Sequence, residues 1–225
     1  MRDDTMTSLG HLPADGPAAL AAYTAAGLGA LAVASLAAMY AVEVPRGGPY
    51  VFGGINDFTG GLFYLATIPP ILQIQRRLGR GPRTRAGTVA VVVCSAAAAA
   101  SGVLLSLHLI GFGPSTAVSV AGIVAQAAWA ALANHRLLHH PRYPHRLAMA
   151  GRAIGLGMLA ALPIIGAGYL ASGVPALQMT LYAAGAALGV VAYLGWPLWL
   201  FTAGRYLAGH GERAHRRGPA SARPV

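Results

Sequence analysis

Three ionisable residues of this sequence could perform acid–base chemistry if the fold brings them together. Glu43 and Asp57 lie near the two ends of the glycine-rich stretch VEVPRGGPYVFGGINDFTGG, and His108 precedes the turn GFGP. Two carboxylates and an imidazole within reach of one substrate can move a proton onto it and off it. Glu43, Asp57 and His108 are therefore the predicted catalytic candidates.

Each of the two carboxylates also has a structural interpretation. Asp57 directly precedes the second apolar segment, where a carboxylate can cap free backbone amides and meet the positive end of the helix dipole. Asn56 could cap instead and leave Asp57 free for other work. Glu43 follows the first apolar segment, where the helix dipole disfavours a negative charge. The other four carboxylates are expected in solvated tails: Asp3, Asp4, Asp15 and Glu212.

The elements that must position these residues are long apolar segments. Hydrophobic residues make up 56% of the 225 residues and charged residues only 10%, against about 25% in ordinary soluble domains. A helix needs about 20 mostly apolar residues to cross the hydrocarbon of a bilayer. Six segments qualify, at 18–42, 58–75, 87–110, 115–138, 153–172 and 175–203. The fold class predicted is an all-α integral membrane protein, a bundle of six transmembrane helices.

The distribution of arginine predicts the orientation of the bundle. The chain contains no lysine, and all of its 16 arginines except Arg46 fall in the two tails or in the loops after the second and fourth segments. Basic residues in short loops favour the cytoplasmic side, so both termini are predicted to be cytoplasmic, in a bacterial cytoplasmic membrane. The predicted domains are a disordered N-terminus at 1–16, a six-helix transmembrane domain at 17–208 and a disordered basic tail at 209–225.

Two segments suggest an inverted repeat. LATIPPIL in the second segment and LAALPIIG in the fifth each carry proline past the middle of a central helix of one half. In transporters, broken helices related in this way line a substrate site, although single prolines also merely kink membrane helices. Asn56, Pro69 and Pro163 are the candidate substrate contacts.

Histidines gather at the predicted cytoplasmic side. HRLLHH contains His135, His139 and His140, and HGERAH contains His210 and His215. HRLLHH resembles one histidine box of the membrane fatty-acid desaturases and hydroxylases, and HGERAH loosely resembles a second. Such boxes would imply two bound irons. The chain lacks a third box, and neighbouring arginines would repel a cation, so no metal and no cofactor is predicted.

Three function classes remain open on the sequence. The first is a non-catalytic accessory or lipid-interacting membrane protein, and it has the fewest requirements. The second is a small transporter or permease subunit built from three-helix repeats. The third is a membrane-embedded acid–base enzyme acting on a lipid or prenyl substrate at the outer face. The expected partners are membrane lipids, a lipophilic small molecule, and a second copy or another membrane subunit. Nucleic acid is excluded, because the basic residues lie in loops between apolar segments.

Overall fold

The computed structural model describes residues 15–78, 81–141 and 143–216, with side chains described to residue 209. The predicted disordered segments at 1–16 and 209–225 fall largely outside these residues. Six α-helices make up the described chain: α1 Gly16–Ala38, α2 Val51–Gln75, α3 Pro82–Ser106, α4 Phe112–Leu137, α5 His145–Leu170 and α6 Pro175–Arg216. A π-helical turn at Met39–Glu43 and a 3₁₀ turn at Val44–Arg46 extend α1.

The helices form a closed ring. Each helix packs against its neighbours in sequence, and α6 returns to pack against α1. The α1–α6 contact is antiparallel, because Gly204 approaches Ala19 while Pro197 approaches Gly29. Short connections make the other neighbours antiparallel as well. We call the end of the ring where α1 begins and α6 ends the terminal face, and the other end the opposite face.

Five of the helical segments are long and apolar enough to cross a membrane, which supports a multi-pass membrane protein. They are Gly16–Arg46, Pro82–Ser106, Phe112–Leu137, His145–Leu170 and Pro175–Gly209. The second helix, α2, has 25 residues and would be about 37 Å long, which is enough to cross. Its composition keeps it out of this set, because its first half carries Asn56, Asp57, Thr59 and two glycine pairs.

The hydrophobic core occupies the half of the ring nearer the terminal face. Its largest cluster contains Ile71 and Ile74 of α2, Leu137 of α4, and Trp199 and Leu200 of α6, all almost fully buried. Two indole N–H groups there have partners: Trp129 Nε1 donates to Gln75 Oε1 at 2.8 Å, and Trp199 Nε1 donates to the Leu147 carbonyl at 2.9 Å. The buried side chains pack closely in this half, and the cavity described below lies toward the opposite face.

Asp15 was expected in a solvated tail, and that expectation is wrong. Its side chain is 6% exposed and pairs with Arg77, which is 7% exposed, at 3.0 Å. Arg77 also donates to the Gln73 carbonyl at 2.8 Å and lies over the Tyr206 ring at 5.3 Å from its centroid. The two charges are buried because α6 continues past the predicted end at residue 203 and covers the start of α1.

Candidate functional site

A cavity of about 230 Å³ lies inside the ring between its middle and the opposite face. All six helices contribute to its wall. Most of the lining is apolar or aromatic, and Asp57 is its one charged side chain. Residues of the lining that bear on its chemistry are Asn56, Asp57, Phe63, Tyr64, Phe112, Ser119, Gln126, Tyr193 and Trp196.

Asp57 is held in the wall by an unusually close contact between α2 and α3. A Cβ atom added at Gly102 would lie 2.7 Å from the Asp57 carbonyl oxygen, and one added at Gly61 would lie 3.0 Å from the Ala99 carbonyl oxygen. Real Cβ atoms essentially never approach so closely, so only glycine at Gly102 permits this crossing. The missing side chains bring the two backbones together and fix the position of Asp57.

The Asp57 carboxylate has few partners in the described structure. Its one side-chain hydrogen bond comes from Asn56 Nδ2 at 3.3 Å, whereas an ionised carboxylate offers about four acceptor positions. Tyr193 lies near enough for an electrostatic interaction with it. Two further polar atoms on lining residues, Asn56 Oδ1 and Trp196 Nε1, are buried with no hydrogen-bond partner. Asp57 is therefore the charged group of the lining with acceptor positions left open.

A polar network closes the cavity toward the core. Gln126 Nε2 donates to Thr67 Oγ1 at 2.7 Å and to Ser95 Oγ at 3.0 Å, and Tyr64 Oη donates to the Ser119 carbonyl at 3.1 Å. Thr67 and Ser95 are fully buried and Gln126 is 2% exposed. These bonds join α2, α3 and α4 at mid-bundle, so they separate the cavity from the filled half.

Glu43 performs the capping role that the sequence suggested for Asp57. The second helix begins at Val51, seven residues before the predicted start at 58, and Asp57 therefore lies inside it. Glu43 Oε1 accepts the backbone N–H of Val51 at 2.7 Å, and both Glu43 oxygens accept that of Phe52. These amides have no partner within α2, which explains why a carboxylate is 6% exposed here.

The remaining candidates lie away from the cavity. The structure ends α3 at Ser106, so His108 stands in the following turn, exposed and with a φ of 57°. Pro69 and Pro163 lie inside α2 and α5, and both are exposed on the surface of the bundle. Of the six predicted site residues, Asn56 and Asp57 line the cavity, and Glu43 supports the helix that carries them.

The aromatic part of the site could not be selected from the sequence. Phe63, Tyr193 and Trp196 line the cavity from α2 and α6, but aromatic residues in apolar segments look alike until the helices are packed. One signal in the sequence did point to the cavity wall: the first half of α2 is more polar and richer in glycine than the other helices.

Histidines at the terminal face do not assemble into a metal-binding group within the described residues. His135 and His139 contact each other edge to face, with ring centroids 5.9 Å apart. The HGERAH side chains lie outside the described part.

No family model, curated protein or solved structure matches this chain. The residues and their geometry alone therefore have to support any functional proposal.

Proposed function

We propose that this multi-pass membrane protein binds one small lipophilic molecule in the cavity of its helical ring, with Asp57 as the polar anchor. This places it among non-catalytic, lipid-interacting membrane proteins. The observation that carries the proposal is a carboxylate with a single hydrogen bond in the wall of an otherwise apolar cavity. A charged group at membrane depth is costly without a partner, and such residues mark ligand sites and pathways.

The surface of α4 supports a lipophilic ligand. Three lining residues on successive turns of α4, Phe112, Thr116 and Val120, are also exposed on the outside of the bundle. Val120 lies eight residues from the start of α4, about 12 Å along the helix axis. A cavity that comes to the surface at this depth would be reached from the lipid rather than from water.

The proposal includes α2 as the sixth span, with both termini cytoplasmic in a bacterial inner membrane. Because α2 lies between two apolar helices in a ring of antiparallel neighbours, it runs the same distance as they do. Its polar residues Asn56 and Asp57 line the cavity, so they lower its hydropathy without meeting lipid. The connections at the terminal face carry the arginines, which favours that face as cytoplasmic.

Specific observations favour binding over the two alternatives. For the predicted acid–base enzyme, Glu43 and His108 would have to meet Asp57 in the cavity, and Glu43 is occupied by the α2 amides while His108 is in an exposed turn. For a permease with broken central helices, Pro69 and Pro163 would border the cavity, and both lie on the outer surface of the ring.

Native mass spectrometry of the protein released gently from its own membrane tests the proposal. Gly60 lines the cavity, and a Cβ added there meets nothing within 4 Å, so Gly60→Leu is expected to fold and to occupy the cavity. Gly54→Leu is the matched control, because Gly54 is on the same helix, has equally open space at Cβ, and is outside the lining.

The expected result is a stoichiometric small molecule on the wild-type protein and on Gly54→Leu, and its loss from Gly60→Leu. Both variants should unfold at similar denaturant concentrations, since each adds a side chain without a clash. Wild-type protein that carries only bulk phospholipid, or a ligand that Gly60→Leu retains in full, would overturn the proposal.

A further inference from the structure

Charge is distributed unevenly between this protein and its cavity. The chain carries a formal net charge of +10, yet no arginine or histidine is among the residues that line the cavity. The one charged lining group is the Asp57 carboxylate. A ligand with a negative charge would meet this carboxylate without any compensating cation, so the cavity selects against anions.

Aromatic rings surround the same space. The lining includes Phe63, Tyr64, Phe112, Tyr193 and Trp196, contributed by three different helices. The faces of such rings carry negative electrostatic potential and attract ammonium groups within about 6 Å of the ring centroid. Tyr193 and Asp57 line the same cavity and interact electrostatically, so the carboxylate and an aromatic ring are available to one ligand.

From these two observations we infer that the ligand is a compact lipophilic organic cation, a protonated or quaternary amine on a small hydrocarbon group. This inference rests on the proposed function and names its ligand class. The ammonium group would lie between the Asp57 carboxylate and the neighbouring rings, and the hydrocarbon would fill the apolar remainder. The volume of about 230 Å³ is below the range of drug-sized pockets, which limits the ligand to a single ring or a short branched chain.

The inference explains how an underpaired carboxylate is tolerated here. An ionised carboxylate out of water needs an opposite charge or several hydrogen bonds. Within the described residues, Arg77 and Asp15 form the one ion pair, at the terminal face, and none reaches Asp57. A bound cation would supply the missing partner.

Equilibrium dialysis of the purified full-length protein in detergent tests the inference with two probes of the same shape. Benzyltrimethylammonium carries the charge, and neopentylbenzene replaces its nitrogen with carbon. Each probe is quantified on both sides by mass spectrometry, with protein-free micelles as the baseline. The wild-type protein is expected to bind the cation at least about tenfold more tightly than the neutral isostere.

Substitution of the Asp57 carboxylate supplies the second comparison. Asp57→Asn keeps the shape of the side chain and removes its charge. It should therefore weaken binding of the cation by at least about tenfold and change binding of the neutral probe by no more than about twofold. Arg46→Gln is the control for removal of a charge near the opposite face, because Arg46 is exposed and does not line the cavity. It should leave the binding of both probes unchanged. The wild-type comparison between probes stands even if Asp57→Asn fails to fold.

Two outcomes would overturn the inference of a cationic ligand, and they have different consequences for the proposed function. Equal binding of both probes would show a cavity that binds lipophilic molecules without selecting charge, so the proposed function would survive. Binding of neither probe would refute the ligand class, and the native mass spectra of wild type and Gly60→Leu would then decide the function separately.

Discussion

Removal of Arg77 should leave a buried carboxylate without its partner, and this is the perturbation with the largest expected effect on stability. The Arg77 and Asp15 side chains are 7% and 6% exposed, with nitrogen and oxygen 3.0 Å apart. Arg77→Met keeps most of the aliphatic stem and its packing but deletes the guanidinium. It also deletes the hydrogen bond to the Gln73 carbonyl and the contact with the Tyr206 ring.

The magnitude follows from the burial of both partners. An exposed ion pair contributes about 0–1 kcal/mol, whereas removing one partner of a buried pair costs about 3–5 kcal/mol, because the other charge stays desolvated. The contact with Tyr206 adds about 0.5–1 kcal/mol. We therefore expect Arg77→Met to lower the free energy of unfolding by about 4 kcal/mol.

A double-mutant cycle separates the pair from its surroundings. In the variant with both Asp15→Asn and Arg77→Met, no charge remains buried, so about half of the lost stability should return. Arg76→Met is the matched control, because Arg76 is the adjacent residue and is exposed. Its effect should stay within about 0.5 kcal/mol.

Unfolding by sodium dodecyl sulfate in mixed micelles, followed by tryptophan fluorescence, gives the free energy of unfolding of each protein in the cycle. These are the wild type, Asp15→Asn, Arg77→Met and the double variant. The chain has 3 tryptophans, and all of them belong to the core at the terminal half. A cost below about 1 kcal/mol for Arg77→Met, or equal costs for Arg77→Met and Arg76→Met, would refute the reasoning. The pair would then be solvated and α6 would not cover the start of α1.

Two further predictions concern packing and titration. Gly155→Ala should lower the free energy of unfolding by about 1–3 kcal/mol in the same assay, because the new Cβ would lie 2.5 Å from the backbone nitrogen of Ala131. Gly166→Ala is the control and should cause no loss, because a Cβ added there has no atom within 4 Å. Equal effects of the two substitutions would contradict the close α4–α5 contact. Burial raises the pKa of the Tyr143 phenol, with Tyr206 adding to the rise and a nearby arginine opposing it. Since the folded state resists deprotonation, this phenol's contribution to stability is present below the ordinary tyrosine pKa of about 10 and is lost as pH rises above it. The Tyr143 hydroxyl is buried with no partner in the described structure, so Tyr143→Phe should raise the free energy of unfolding by up to about 1 kcal/mol at neutral pH. The variant should also lose less stability than the wild type as the pH rises above about 10. An unchanged dependence of stability on alkaline pH would assign that loss to other groups.

The start of α2 shows why local composition was not enough to predict the limits of a helix. The paired glycines of α2 are plain in the sequence, but they led to a loop prediction up to residue 57. In the structure this stretch is helical from Val51, because Glu43 satisfies its first amides from outside the helix. A cap supplied eight residues upstream, across a turn, gives no local pattern that a sequence-based prediction could use.

The sequence by itself determined that this protein is built from long apolar helices, because the cost of exposing backbone groups to lipid leaves helices as the structure for such segments. It also singled out Asp57, because this is one of the two carboxylates outside the predicted tails, and Asn56 as the alternative cap beside it. Only the tertiary structure decided which groups share a space. It assigned Glu43 to a helix end, buried Asp15 against Arg77, and placed Asp57 among aromatic rings of other helices. Those assignments depend on the order and rotation of helices around the ring. Apolar faces rich in alanine and glycine allow many such arrangements, and the sum of their side-chain contacts selects one.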